Sequence, residues 1–270
     1  MKVYFLEDSN KKNVFIRMLK PIEIKGEKII LNYYMKKMSI NKKIKLVASI
    51  GNILYSNNCK KIILAKSLKQ DSNFINLLYG KDIQIVNSKY LFKLLIKKII
   101  EKATKDNNII KENTEIAFAM NYKSAEVSSQ LEYFARIFKS LHIVTNNIEQ
   151  FLYFSQKMYE ENGIIITVTN NKKRALLRSS IIINVDFPEK MLNEYVVKDD
   201  SIIINLEEDV RIKKKRFSGK IINDFNIKLK EDSKIANILE HEQYRKFDIK
   251  DLAEIYLINN PKEIEDVVLA

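Results

Sequence analysis

The sequence predicts an α/β protein, a doubly wound parallel sheet in the C-terminal part preceded by a smaller α/β domain. Three observations predict it. Five short runs rich in Ile and Val recur in the middle of the chain: Glu115–Met120, Leu141–Thr145, Ile164–Thr169, Ser180–Val185 and Ser201–Leu206. Helical patterns or turn clusters separate them, as in βαβ units joined by right-handed crossovers. The chain has 270 residues, enough for two domains of ordinary size, and its charge balance changes near residue 110.

Taken in order, Met1–Leu6 reads as a first strand, and Val14–Leu19 and Glu27–Tyr34 as further strands. Pro21 and Gly26 mark turns around Ile22–Ile24. Ile44–Tyr55 fits a helix, with Ile44, Val47, Ala48, Ile50 and Leu54 close to a 3.6-residue period, and Asn57-Asn58 ends it. Lys61–Ala65 is a strand. Asp71 or Ser72 caps a short helix through Tyr79, which Gly80 stops, and Ile83–Val86 is another strand. Ser88 caps a helix over Lys89–Thr104 with a wide apolar stripe, the mark of a helix buried between two layers. This helix is expected to carry the chain between domains, and the polar stretch Lys105–Asn113 to be the linker. The expected division is thus 1–110, a basic N-terminal α/β domain, and 111–270, a Rossmann-like domain. Beyond Leu206, Ile221–Asn223 and Asn226–Leu229 read as edge strands. Helices follow at Lys234–Tyr244 and at Ile249–Ile258, the latter capped by Asp248 and closed by Asn259-Asn260-Pro261. Lys262–Ala270 reads as a frayed end, and no internal repeat stands out.

Composition narrows the function classes. One cysteine, Cys59, excludes an internal disulfide and a cysteine-based metal cluster, and fits a reducing cytoplasm; it reads as a small, partly buried residue just before the strand Lys61–Ala65. No apolar run reaches the ~18–20 residues of a spanning helix, and the N-terminus lacks the pattern of a signal peptide. A cytoplasmic protein is expected. Residues 1–110 hold 23 Lys+Arg against 8 Asp+Glu, whereas 111–270 hold 24 against 26. A basic half points to an anionic partner. The abundance of Lys, Asn and Ile throughout, with Arg scarce, points instead to low-GC codon bias.

The strand Glu115–Met120 runs into Asn-Tyr-Lys-Ser-Ala-Glu at 121–126, where a dinucleotide-binding fold carries G-x-G-x-x-G. There glycines let backbone N–H groups reach the pyrophosphate. Here Ala119, Asn121 and Ser124 stand at the three glycine positions, and none is glycine. The acidic residue that would bind an NAD ribose after the second strand is replaced by Thr145-Asn146-Asn147. Lys123 and Ser124, with Ser128 and Ser129 a turn on, either bind an anion or form a plain polar helix start. Asp186 lies at the carboxyl end of the fourth strand. It either faces the ligand crevice or caps the helix after Pro188. The candidate cofactor-binding residues are therefore Ala119, Asn121, Lys123, Ser124, Thr145, Asn146 and Asp186. No catalytic or metal-ligating residue is assigned. His142 and His241 lack metal spacing, Glu240-His241-Glu242 reads as a solvated triplet, and Arg211–Phe217 is a basic cluster on a loop.

In element order and spacing, residues 115–229 resemble the NAD(P)-binding domain of the shikimate dehydrogenase, glutamyl-tRNA reductase and acyl-carrier-protein reductase group. The resemblance rests on Glu115–Met120, the long helix to Lys139, His142–Thr145, Ile164–Thr169, Ser180–Val185 with Asp186-Phe187-Pro188, Ser201–Leu206 and the helix Lys234–Tyr244. It implies NAD(P) as cofactor and last helices that fold back toward the N-terminal domain. The chain departs from the group at the cofactor contacts, and the group's catalytic pairs find no match. The expected function is a diverged Rossmann-fold protein, non-catalytic or weakly nucleotide-binding, with a nucleotide or small anion as ligand. Two alternatives stand beside it. One is an NAD(P)-dependent oxidoreductase with an atypical phosphate loop; the other is an RNA- or anion-binding protein acting through the basic N-terminal half. Homo-oligomerisation is left open.

Overall fold

The computed structural model describes residues 2–9, 21–33, 35, 38–231, 233, 244–257 and 261–269. The expected strand Val14–Leu19, the body of the helix Lys234–Tyr244, the triplet Glu240-His241-Glu242 and the Asn259-Asn260 stop lie outside the described residues. The chain forms two compact units. The first is Met1–Ser88 with Leu229–Glu263, and the second is Lys89–Lys228 with Ile264–Ala270.

The first unit is built on a five-stranded sheet. Its strands are β1 (Tyr4–Asp8), β2 (Ile22–Lys25), β3 (Lys28–Leu31), β4 (Lys61–Leu64) and the short β5 (Gln84–Ile85), in the order β2-β3-β1-β4-β5. β2 and β3 form an antiparallel hairpin. Gly26 turns it at φ +59, a conformation that L side chains rarely adopt. The other pairings are parallel. Helix α1 (Ile40–Ser56) buries Leu46, Val47, Ile50 and Leu54, one face of a 3.6-residue period, against Leu6, Ile29, Ile62 and Leu64 of the sheet. Cys59 is buried in this core, and its thiol donates to the Lys2 carbonyl. After the single turn α2 (Lys66–Lys69), α3 (Ser72–Tyr79) begins on Asp71. The Asp71 carboxylate accepts the Phe74 N–H at 3.1 Å and takes Lys43 at 2.5 Å.

Residues from the C-terminal part complete this unit. The Phe5 ring meets Tyr244 and Phe247 edge-on, with centroids 5.4 and 5.3 Å apart. Asp248 precedes the helix Ile249–Tyr256, but its carboxylate, like that of buried Asp251, pairs with the Lys69 ammonium.

The second unit opens with α4 (Lys89–Leu94) and α5 (Ile96–Asp106), two helices where the sequence predicts one. Gln130 explains the break. Its amide Nε2 donates to the Lys93 carbonyl at 3.1 Å, and its Oε1 accepts the Lys97 N–H at 3.2 Å. A side chain thereby replaces backbone partners where the ladder is interrupted. Next come β6 (Glu115–Ala119), α6 (Ala125–Ile137), β7 (Ser140–Val144), α7 (Ile148–Asn162), β8 (Ile166–Thr169), α8 (Lys172–Arg178), β9 (Ile181–Asn184), α9 (Glu189–Glu194), β10 (Ile202–Asn205) and β11 (Lys220–Ile222). The six strands make one parallel sheet in the order β11-β10-β9-β6-β7-β8. Counted along the chain, that order is 3-2-1-4-5-6 read from the β8 edge, the order of dinucleotide-binding sheets, with the direction of winding reversing between β6 and β9.

Every residue of β9 and β10 is buried, as strands covered on both faces require. On one face Ala117, Ala119, Ile182 and Ile203 pack with Ala175 and Leu176 of α8 and Leu192 of α9. On the other, Phe118 meets Phe134 of α6 at 5.6 Å. The helices on both faces are those the alternation predicts.

Three expectations are revised. The helical segment from Lys89 and the stretch 105–113 cluster with the second unit, so the chain passes from the first unit to the second at Ser88–Lys89. The run at 226–229 leaves the six-stranded sheet: β12 (Phe225–Leu229) pairs with β13 (Ile264–Leu269) in a separate two-stranded sheet. The presumed frayed end is thus a strand, with Ile264 and Val267 fully buried and Lys98 donating to the carbonyls of Ile264 and Glu265. Among the described residues no helix is long and apolar enough to cross a membrane.

Candidate functional site

In a doubly wound sheet, ligands bind beyond the carboxyl ends of the strands where the winding reverses. In the second unit that place lies between β6 and β9. β6 ends on Ala119, which is fully buried, and the chain turns through Asn121 and Tyr122 before α6. The backbone N–H groups of this turn are the donors that a pyrophosphate would use.

Those donors already hold an anion of the chain itself. The Asp186 carboxylate accepts the Asn121 N–H with both oxygens, at 2.8 and 2.9 Å, and the Tyr122 N–H at 2.8 Å. Asp186 sits two residues past β9, which the parallel pairing Ala119↔Asn184 brings beside β6. It does not cap the helix after Pro188, because its carboxylate is directed to the neighbouring turn. Burial pushes the Asp186 pKa up, and the Glu207 charge adds to that rise; the two backbone N–H groups and Lys93 oppose it without cancelling it.

The turn is held from the second strand as well. The Asn121 side-chain oxygen accepts the Asn146 N–H at 3.0 Å, and the Asn147 amide donates to the Asn121 carbonyl at 2.9 Å. Thr145 is fully buried, and its hydroxyl oxygen accepts the Asn147 N–H at 3.0 Å. Lys172 donates to the Asn146 side chain. Asn121, Thr145, Asn146 and Asp186 are thereby drawn into one network.

Lys123 and Ser124 are engaged elsewhere. The Lys123 ammonium lies 5.3 Å from the Phe154 ring centroid. The Ser124 hydroxyl donates to Glu126 at 2.7 Å, which with the Lys93 charge holds the Glu126 carboxyl below its usual range.

Several residues that shape this end of the sheet escape the motif-based reading. Asn184 donates to Asn205 at 3.0 Å, and Asn205 donates to Asn223 at 2.7 Å. This amide ladder ties the carboxyl ends of β9, β10 and β11. Asn184 also holds the Phe187 N–H and carbonyl, each at 2.9 Å, which shapes the loop carrying Asp186. Lys93 of α4 meets Glu207 at 2.5 Å. A signal for these residues exists in the sequence: Ser180-Ile-Ile-Ile-Asn184-Val-Asp186 recurs as Ser201-Ile-Ile-Ile-Asn205-Leu-Glu207, and more loosely as Lys220-Ile-Ile-Asn223-Asp224. This short echo places an amide at each strand end, with a carboxylate two residues on in the first two copies and one residue on in the third.

His142 lies in β7, with its Nε2 3.2 Å from Glu115 and 3.3 Å from Ser140. In the basic loop cluster, Lys213 pairs with Glu189 at 2.8 Å, and the Arg211 carbonyl accepts from Asn193 at 2.8 Å.

No protein-family model matches the sequence, and no curated protein matches it. Among solved structures, aspartate transcarbamoylase of Trypanosoma cruzi in complex with N-(phosphonacetyl)-L-aspartic acid is similar at 13% identity and TM-score 0.30, over 76% of this chain and 71% of that one. L-tryptophan dehydrogenase of Nostoc punctiforme is similar at 10% identity and TM-score 0.34, over 75% of this chain and 62% of that one. Ornithine transcarbamoylase of Giardia lamblia is similar at 8% identity and TM-score 0.30, over 76% and 72%. These are distant likenesses of architecture, α/β domains with parallel sheets, and they single out no family.

Proposed function

We propose that the second unit is a diverged Rossmann-like scaffold whose pyrophosphate position is filled by its own carboxylate, and that the protein is a non-catalytic or weakly nucleotide-binding module. The observation that carries this reading is the Asp186 carboxylate on the Asn121 and Tyr122 N–H groups. Those two donors serve dinucleotide phosphates in glycine-containing turns. A negative side chain there both uses the donors and repels a second anion, by like-charge interaction in a half-buried place. The Cβ atom of Asn121, where the motif has a glycine, adds to the obstruction. In this reading Asn121, Thr145, Asn146 and Asp186 form a structural lock, derived from a site of the kind found in the shikimate dehydrogenase and glutamyl-tRNA reductase group.

The test is a thermal-shift titration of the full chain with NADH and NADPH. A ligand at ~100 Kd adds roughly 2.7 kcal/mol to the folded state, a shift of a few degrees. The expected result is no saturable shift for either cofactor up to about millimolar concentration. A saturable shift at micromolar cofactor would overturn the reading and support an oxidoreductase with an unusual phosphate loop.

A further inference from the structure

A second polar cleft of the same unit has a different character. It opens over β7 and β8, beside α8, and has a volume of about 360 Å³. Six polar residues line it: His142, Thr167, Thr169, Asn171, Arg174 and Arg178. None is acidic. Ligand pockets generally start at around 300 Å³, so the space suits a small molecule.

The chemistry of the lining is one-sided. Arg174 and Arg178 stand one helical turn apart on α8, the spacing that sets two side chains on one face. Among the described residues neither guanidinium has a carboxylate within ion-pair distance, whereas Arg136, also exposed, pairs with Glu132 at 2.8 Å. The rest of the lining also offers hydrogens. Thr169 Oγ1 accepts the Asn171 N–H at 2.9 Å, which leaves its own hydrogen free to donate. Asn171 Oδ1 accepts the Arg174 N–H at 3.1 Å, which leaves the amide NH₂ available. Thr167 is exposed on the edge strand β8. Glu115, which does not line the cleft, has its carboxylate 3.2 Å from His142 Nε2.

α8 also carries four cations in seven residues, Lys172, Lys173, Arg174 and Arg178, and no acidic residue. Like charges at this density repel one another, and an anion in the cleft would offset that cost. Two guanidinium forks with hydroxyl and amide donors match the tetrahedral oxygens of a phosphate group.

We propose that this cleft binds the phosphate group of a small phosphorylated molecule, with Arg174 and Arg178 as its principal ligands and Thr167, Thr169 and Asn171 as supporting donors. The cleft is separate from the Asp186 lock and does not depend on the reading of that lock.

The probes are inorganic phosphate and phenyl phosphate, titrated into the full chain by calorimetry in a phosphate-free buffer at moderate, constant ionic strength. One saturable site per chain is expected, with phenyl phosphate at least as tight as phosphate. Arg174→Gln and Arg178→Gln should each weaken binding about tenfold or more, because each removes a charge-assisted hydrogen-bonding fork. Lys173→Gln, on the same helix but outside the cleft, should leave affinity within about twofold. Both arginines are exposed, so their variants should keep the wild-type melting temperature. Absence of saturable binding would overturn the proposal. So would equal weakening by Lys173→Gln, which marks diffuse attraction, or unchanged affinity in both arginine variants.

Discussion

Both oxygens of Asp186 face a single backbone N–H, that of Asn121, and one of them also takes the N–H of Tyr122. Two strand ends adjacent in the sheet but 65 residues apart in sequence are thereby tied by a charge-assisted contact. Asp186→Ala removes the acceptor and leaves the turn to water. The expected loss is about 1–3 kcal/mol, read as a lower urea midpoint at unchanged slope. An unchanged midpoint would show that the turn is shaped by Asn146 and Asn147 alone.

The carboxylate of Asp251 makes a different kind of prediction. Burial pushes its pKa up to about 6, with Lys69 opposing the rise. A carboxyl whose folded pKa lies above its unfolded value holds its proton more tightly when folded. Its contribution therefore favours the folded state as pH falls from 6 toward 4 and is lost as pH rises through 6. Asp251→Asn removes this dependence while Asp248 still holds Lys69. The stability of the variant relative to wild type should rise by roughly 2–3 kcal/mol between pH 4 and pH 7. Urea unfolding of both proteins across that range measures it. A constant difference would contradict the buried, proton-retaining environment.

The amide ladder predicts a steep cost at its centre. Asn205 is fully buried and serves Asn184 on one side and Asn223 on the other. Asn205→Ala leaves one Asn184 amide hydrogen without its acceptor, at about 1–3 kcal/mol, while the Asn223 side-chain oxygen keeps the Val210 N–H. Asn184→Ala on the same background should cost less than it does in wild type, because the hydrogen bond between the two residues is already gone. A double-mutant cycle tests this coupling.

Two glycines should respond in opposite directions. A Cβ on Gly219 would lie 2.0 Å from the Ser201 carbonyl oxygen and 2.8 Å from the Phe217 ring. Gly219→Ala is therefore expected to destabilise by about 1–3 kcal/mol or more. Gly51 sits inside α1 with nothing within 4 Å of such an atom. Gly51→Ala should stabilise by about 0.4–1 kcal/mol, since alanine loses less chain entropy in a helix. Thermal melts of the two variants should move apart around wild type.

The parts of the fold legible in the sequence are those fixed by local pattern. Ile181–Asn184 and Ile202–Asn205 are runs of isoleucine closed by a turn residue, and such runs read as buried strands without knowledge of their partners. Asp71 read as a cap because capping needs only the next three residues. What was hidden depends on partners far along the chain. β13 forms because Phe225–Leu229 is available to pair with it, and the break at Leu95 exists because Gln130 reaches it. For the candidate site, Asn121, Thr145, Asn146 and Asp186 were singled out from the motif frame. The frame shows where glycines are missing, but not that a carboxylate 65 positions on accepts the N–H groups of the turn.

The division of the chain into units bears on how it is made. Residues 1–88 emerge from the ribosome well before residues 229–263, which complete the unit they belong to. Roughly 140 residues of the other unit are synthesised in between, which at ~5–20 residues per second takes on the order of 10–30 s. For that time Phe5 lacks Tyr244 and Phe247, and Lys69 lacks both its aspartates. The nascent N-terminal sheet therefore waits with part of its apolar surface uncovered, a natural client for a chaperone that holds rather than folds. Fragments ending before Phe247 should be the ones most prone to aggregate.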